Sequence, residues 1–331
     1  MAEQGKLALV TGATGAIGPV LVRGLLAKRY RVRVLHRDPF LPGILPLSVS
    51  PVLGDITDPQ AVSKAVTGAD VVFHLAAKLH TNDTSSSVRS EYQRVNVEGT
   101  QCITDAARAA EVSRLVFFST ISVYGASRPP EVLNEKSPLR PQSFYAKTKC
   151  EGEAIVLSAR RSNTKGPLAV VLRLAAVYGP HVKGNYARLI SALRKGWFVP
   201  LGDGCNRRTL IYDEDVSAAA LLAVEHPEAA GQIYNVTDGH IHTLRDVLGA
   251  ICSALDRKPP RFYFPAAPAR FLAGAMEAVY RPLGLDAPVS RALVDKFVED
   301  VAVDGEKIHR ELSYQSGFTL AGGWHRSLQT E

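Results

Sequence analysis

Residues 7–29 read LALVTGATGAIGPVLVRGLLAKR, and the succession of residue types in this stretch decides the fold. The run LALVTG at 7–12 is short, apolar and rich in β-formers, the pattern of a strand buried on both faces. Gly12, Gly15 and Gly18 then recur at a spacing of three where the chain must turn, and a helix follows from about Gly18 to Arg29. Glycines at a strand-to-helix turn let the backbone approach a pyrophosphate, while the helix N-terminus supplies unpaired N–H donors and a partial positive charge. Gly12, Thr14, Gly15, Ala16, Ile17 and Gly18 are therefore candidate dinucleotide-binding positions, with a merely structural turn as the alternative.

The pattern repeats outward from this unit. RVRVLH at 31–36, PVLGDI at 51–56, DVVFHLAA at 70–77 and RLVFFST at 114–120 read as strands, with helices near 59–66 and 92–110 between them. Buried β-rich runs alternating with helices predict a doubly wound, parallel α/β sheet. A further helix is expected from about Tyr145 to Ala159, then a strand LAVVLRLAAVYG at 168–179. Past Gly179-Pro180 the pattern loosens into mixed helices, prolines and short strands, so a dinucleotide-binding domain is expected over 1–180 and a smaller mixed lobe over 181–331. QIYNV at 232–236 is expected to return to the main sheet.

The bulk properties admit this reading and narrow the rest. The chain has 331 residues, 46% hydrophobic and 21% charged, as in an ordinary globular protein. A net charge of +7 suits an anionic partner, but the basic clusters are as short as Arg160-Arg161 and Arg207-Arg208, which favours a phosphate-bearing small molecule over nucleic acid. Cys102, Cys150, Cys205 and Cys252 form no CxxC pair and have no nearby histidine at ligand spacing, so buried thiols are expected and no metal. Unpaired cysteines and the absence of a signal-peptide core point to the cytoplasm. The stretch 264–285 is apolar, but Arg270, Glu277 and Arg281 interrupt it, so it does not span a membrane; a helix packed over the C-terminal lobe is expected, with an interfacial helix as the alternative.

Around the nucleotide loop, the end of the second strand carries His36 and Arg37 where an NAD-preferring protein usually places an acidic residue on the ribose 2′-OH. A cation there pairs with a 2′-phosphate, which favours NADP(H) over NAD(H). Asp55 and Ile56 are placed to meet the adenine, and Leu75, Ala76 and Ala77 to let the cofactor approach the backbone. For His74 a satisfied structural imidazole is expected.

Tyr145 and Lys149 lie four residues apart at the start of a helix and so share one face. A tyrosine beside an ammonium has its phenolate favoured and can pass a proton to or from a carbonyl oxygen while hydride moves at the nicotinamide. Ser119, Thr120 and Ser122 end the fifth strand, at the carboxyl edge where doubly wound sheets bind ligands, and supply hydroxyls to polarise that carbonyl.

The order TGxxGxxG (11–18), HLAA (74–77), VNxxGT (95–100), STxxVYG (119–125), YxxxK (145–149) and VYGP (177–180) resembles the extended short-chain dehydrogenase/reductase family of NAD-dependent epimerase/dehydratase type, over nearly the whole chain. The resemblance implies Thr120 as the catalytic hydroxyl, Tyr145 as acid/base, Lys149 as its partner and as holder of the nicotinamide ribose, and Asn96 near the cofactor; a helix N-cap suits Asn96 equally. It further implies a nucleotide-linked sugar as substrate, with Thr120 and Ser122 at the sugar and Asn185 and Arg208 at the nucleotide and its diphosphate. The 4,6-dehydratases of the family follow the threonine with Asp-Glu, whereas Ile121-Ser122 follow it here, which disfavours dehydration. The closest likeness is to nucleotide-sugar C4 epimerases and 4-ketoreductases, with Ala176 replacing the asparagine of a standard galactose epimerase. A 3β-hydroxysteroid dehydrogenase-like enzyme acting on an apolar alcohol shares the cofactor motifs. A non-catalytic NADP-sensing protein is disfavoured by the Tyr-Lys pair. A homodimer through the helices near 92–110 and 145–159 is the family's usual assembly.

Overall fold

The computed structural model describes residues 5–38, 43, 45–79, 85–181, 185–196, 198–280, 285 and 287–329. In chain order the strands are β1 (Leu7–Thr11), β2 (Arg31–His36), β3 (Ser50–Leu53), β4 (Val71–His74), β5 (Arg114–Thr120), β6 (Ala169–Leu174), β7 (Ala176–Tyr178), β8 (Arg207–Arg208), β9 (Leu210–Tyr212), β10 (Ile233–Val236) and β11 (His242–Thr243). The helices are α1 (Gly18–Ala27), α2 (Pro59–Val66), α3 (Ser86–Tyr92), α4 (Gly99–Ala109), α5 (Phe144–Ser158), α6 (Asn185–Lys195), α7 (Asp213–Glu225), α8 (Leu244–Ala254), α9 (Ala266–Tyr280), α10 (Arg291–Val298), α11 (Glu306–Leu312) and α12 (Leu320–Gln329).

Seven strands form one parallel sheet in the order β10-β6-β5-β4-β1-β2-β3, so the expected doubly wound Rossmann architecture is present, and 232–236 does return to it beside β6. Alternate residues of each strand face opposite layers. Ala8, Val10, Val116 and Phe118 pack with Leu21 and Leu25 of α1 and Val216 and Ala219 of α7. Leu7, Leu9, Leu115 and Phe117 pack with Val62 of α2, Ile103 of α4 and Val156 of α5. The strand order reverses between β1 and β4, where the connections leave in opposite directions and open a crevice at the carboxyl edge.

Two expected elements differ. The run 168–179 is two strands: β6 lies in the main sheet, and β7, just past Ala175, pairs instead with β9. Ala175 N–H donates to Val236 O and Ala176 N–H to Thr209 O, so the chain changes partners between adjacent residues while remaining extended. The helix expected over 92–110 begins earlier, at Ser86, and contains a π-helical turn at Gln93–Glu98 between α3 and α4. The C-terminal lobe has its own core, with Tyr178 stacked on Trp324 at 4.5 Å and Leu248 and Ile251 of α8 beside them. The thiols are all free; Cys252 is buried, but Cys102 and Cys150 are half-buried and Cys205 is exposed, correcting the expectation for these three.

Candidate active site

The carboxyl ends of β1 and β4 bring the nucleotide loop against Leu75-Ala76. Gly12 has φ 73°, and a Cβ on it would lie 2.6 Å from the Ala76 nitrogen, so no other residue permits this approach. Beyond it α1 starts at Gly18 with no side-chain cap and no acidic residue in its first turn, leaving the N-terminal N–H groups for an anion. The loop around Thr14, exposed Gly15, Ala16 and Ile17 therefore fits a dinucleotide pyrophosphate. Leu75, Ala76 and Ala77 line the opposite lip, half-buried.

At the end of β2, Arg37 is 69% exposed in its side chain and reaches Asp55 at 3.9 Å, while His36 Nδ1 is 2.5 Å from Asp38 O. Asp55 also accepts from the Thr57 N–H and hydroxyl; these bonds, with Arg37 and Arg94, outweigh a larger opposing effect of burial and hold its carboxyl below the usual range. Ile56 is buried against the π-turn side of α4.

A hydrogen-bonded chain that the sequence reading missed runs from this crevice to the catalytic helix. The Ala76 N–H donates to Thr11 Oγ1 (3.3 Å), which lies 2.7 Å from His74 Nδ1; His74 Nε2 is 3.0 Å from Thr100 Oγ1, which donates to Asn96 O (2.6 Å). With each hydroxyl proton so directed, the network assigns His74 as the neutral Nε2–H tautomer. Burial, assisted by Lys149, pushes its pKa down to about 3, so the ring stays neutral, as expected for a structural imidazole.

Asn96 is not a helix N-cap. It sits within the π-turn, buried, where Oδ1 accepts from Lys78 N–H (2.7 Å) and Nδ2 donates to Lys78 O (3.2 Å) and Thr148 Oγ1 (3.0 Å). Thr148 in turn donates to Tyr145 O (3.0 Å). The extra residue of a π-turn turns a side chain out of α-helical register, and here it aims Asn96 at α5. Asn96→Ala strands the Lys78 N–H and is expected to cost about 1–3 kcal/mol, measured as a lower urea midpoint, with reduced turnover as the Tyr145 backbone loses its brace.

Ser143 caps the start of α5, its Oγ accepting from Ala146 N–H, and Gly152 lets the helix close on β5, since a Cβ there would lie 2.8 Å from Phe117. That closeness seats Lys149 with Nζ 4.1 Å from the centre of the Phe117 ring. Lys149 is buried, and no hydrogen-bond acceptor for its ammonium occurs among the described residues. Its N–H donors are thus unspent in the cleft, as a residue holding ribose hydroxyls requires. Burial pushes its pKa down to about 7, opposed by Glu153.

Tyr145 is half-buried one turn earlier. Its ionisation differs from the expectation: burial, with Tyr92 nearby, pushes the phenol up to about 12, and Lys149 does not offset this. Lys149, pushed down to about 7, has lost its charge well before the phenol ionises. Thr120 ends β5, accepting from Ser122 N–H (3.2 Å) with its Oγ1 also 3.2 Å from Ser122 Oγ; Ile121 is buried between them. The carboxyl edge therefore holds hydroxyls from β5 beside the phenol-ammonium helix face.

Behind these groups lies a second set absent from the sequence reading. Glu153, one turn past Lys149 on α5, accepts from Ser119 Oγ and bidentately from Arg173 of β6, both ion-pair partners being 3% exposed. Arg173 also donates to Tyr124 OH (2.7 Å), which donates to Asn235 Oδ1 (2.8 Å). The residues expected at the nucleotide end are less converged. Asn185 opens α6 and its side chain lies outside the described residues. Arg208 donates to Phe297 O (2.7 Å) and Glu299 O (2.6 Å), closing the end of α10, and Arg207 grips Asp300 at 2.6 Å rather than facing solvent.

Residues 8–237 match the NAD dependent epimerase/dehydratase family. The chain is 31% identical to 4-hydroxy-2-methyl-3-oxo-4-farnesyl-3,4-dihydroquinoline-1-oxide ketoreductase of Stigmatella aurantiaca, over 95% of this chain and 93% of that one. It is 27% identical to N-acetyl-alpha-D-glucosaminyl-diphospho-ditrans,octacis-undecaprenol 4-epimerase of Escherichia coli O157:H7, over 98% and 94%. Among solved structures, MoeE5 in complex with UDP-glucuronic acid and NAD is similar at 27% identity and a TM-score of 0.75, over 98% of both chains.

Proposed function

The chain belongs to the NAD dependent epimerase/dehydratase family, as an oxidoreductase of the extended short-chain type, and we propose that it works as a 4-ketoreductase or 4-epimerase on a nucleotide-linked sugar. One observation carries the choice of reaction. After Thr120 the chain places buried Ile121 and the Ser122 hydroxyl, so the edge of β5 carries donors for a carbonyl oxygen and no carboxylate pair for eliminating water.

In this reading the dinucleotide supplies or accepts the hydride. Thr120 and Ser122 donate to the ketone oxygen, where negative charge develops. Tyr145, protonated through neutral pH, gives its proton to that oxygen in the reducing direction, and Lys149 holds the ribose hydroxyls of the dinucleotide. The nucleotide-sugar class is supported by the UDP-sugar complex of MoeE5, and reaction at C4 by the 4-epimerase relative, whose named sugar is carried on a diphospho-polyprenol. The test offers UDP- and dTDP-linked hexoses and their 4-keto forms with either dinucleotide, following absorbance and product epimers; turnover of none of them overturns the reading.

A second reading, a dehydrogenase or reductase on an apolar alcohol or ketone, is favoured by one feature: Arg207 and Arg208 are engaged with Asp300 and the α10 carbonyls, leaving neither guanidinium directed at a diphosphate. The farnesylated substrate named for the Stigmatella relative belongs to that class. Including prenylated ketones and sterols in the same screen separates the two.

For the cofactor we propose NADP(H) over NAD(H), with Arg37 and His36 at the 2′-phosphate. Arg37→Ala is expected to weaken NADPH by about tenfold, roughly 1.4 kcal/mol, and leave NADH unchanged in fluorescence titrations. Equal affinities of both dinucleotides before and after substitution would refute the phosphate contact. A homodimer through the outer faces of α4 and α5 belongs to the same proposal and is measured by light scattering.

A further inference from the structure

The helix α9 turns its apolar side outward. Pro268, Phe271, Leu272, Ala275, Ala278 and Val279 recur at helical spacing on one face, and all are exposed, with Phe271 at 78% and Val279 at 63%. The face turned inward is small: Ala269 and Ala273 meet Val294 of α10, Leu201 and Phe264. Its charged side chains are spent within the hairpin, Arg270 on Asp295 (2.9 Å) and Glu277 on Arg291 (2.8 Å). Phe262, before the helix, and Leu293 of α10 are exposed as well. The sequence-based expectation of a helix packed over the lobe accounts for the inner face and not for this one.

The charge beside the stripe selects its partner. Residues 257–276 carry four cations (Arg257, Lys258, Arg261 and Arg270) and no carboxylate. Arg257, Lys258 and Arg261 are exposed just ahead of α9. An anionic surface attracts these exposed cations. At 15 residues α9 is too short to span a bilayer, and among the described residues no helix is long and apolar enough to cross one. A helix with an apolar face and adjoining cations lies in the plane of the interface.

We propose that the outward face of α9 docks this protein on an anionic phospholipid surface, with Phe262, Phe271, Leu272 and Val279 inserted among the acyl chains and Arg257, Lys258 and Arg261 at the headgroups. The hairpin is fixed to the lobe that flanks the site: Asn206 and Arg208 donate to the Phe297 and Glu299 carbonyls at the end of α10, and Asp300 accepts from Arg207 and from Ser127, two residues past Gly125 of the β5 loop. Docking therefore holds the catalytic edge at a set distance from the bilayer. The inference is independent of which substrate class is correct.

The experiment is co-sedimentation of the full chain with phosphatidylcholine vesicles, with and without phosphatidylglycerol. Binding is expected only where phosphatidylglycerol is present, weakening as salt is raised because the charge contribution is screened. Phe271→Asp combined with Leu272→Asp is expected to reduce it at least tenfold, and Arg257→Glu with Lys258→Glu to reduce it while leaving thermal unfolding and turnover of a soluble substrate as in the parent, since these side chains are exposed. Absence of binding to phosphatidylglycerol vesicles, or equal binding by the Phe271/Leu272 variant, overturns the proposal. A parent that ignores vesicles and forms an oligomer that the same variant breaks assigns the stripe to a second copy and also overturns it.

Discussion

Tyr145→Phe lowers turnover by about 10²–10⁴-fold, the range for losing a positioned proton donor, while dinucleotide affinity stays within experimental error. The ring and its packing survive; only the hydroxyl that protonates the ketone oxygen goes. Unchanged turnover in stopped-flow assays would remove Tyr145 from the chemistry. The ionisation states give the same site a pH signature. With the phenol pushed up to about 12, Tyr145 keeps its proton across the assay range and adds no limb below it. Lys149, pushed down to about 7, carries its ammonium below that pH and loses it above. The kcat/KM for the dinucleotide, which reports ionisations of the free enzyme, is therefore expected to fall as pH rises through about 7. A flat profile from pH 6 to 9, to within about twofold, would show that Lys149 keeps its charge throughout and contradict its lowered pKa.

Much of this site is legible in the sequence because its parts are local. A strand, three glycines and a helix start occur within the 12 residues from Leu7 to Gly18, and the Tyr145–Lys149 spacing is one helical turn. The parallel sheet is legible because strands covered on both faces read as unbroken apolar runs. What escapes is non-local or depends on burial. Glu153 and Arg173 stand 20 residues apart on a helix and a strand, and nothing in either segment marks the other as its partner. The π-turn leaves no signature in VNVEG because an extra residue in one turn changes no residue type. The division of 168–179 at Ala175 falls between the apolar residues Leu174 and Ala176, so only the partner strands betray it. Protonation escapes for the same reason: spacing shows that Tyr145 and Lys149 are neighbours, whereas the depth of each sets its pKa.

The largest stability effect is expected at Arg173. Its guanidinium meets Glu153 through Nε and Nη2 and Tyr124 through Nη1, all within the layer beneath the catalytic helix, and this pairing holds Arg173 firmly protonated against burial. Arg173→Met leaves the Glu153 carboxylate buried with Ser119 as its remaining donor and removes the donor to Tyr124, for an expected loss of about 3–5 kcal/mol in guanidinium unfolding. Pairing Arg173→Met with Glu153→Leu removes both charges, and the double variant is expected to recover most of that loss, because an apolar replacement of a buried ion pair is often neutral. A double variant no more stable than the single one would show that the hydroxyls of Ser119 and Tyr124, rather than the stranded carboxylate, account for the cost. Stability regained need not bring activity with it. Glu153 is the charge that opposes the desolvation of Lys149, so its loss lets the lysine pKa fall further, and the dinucleotide pH profile should shift its descending limb to lower pH even where folding is restored. That separation places the buried pair behind the ammonium electrostatically, as well as beneath it mechanically.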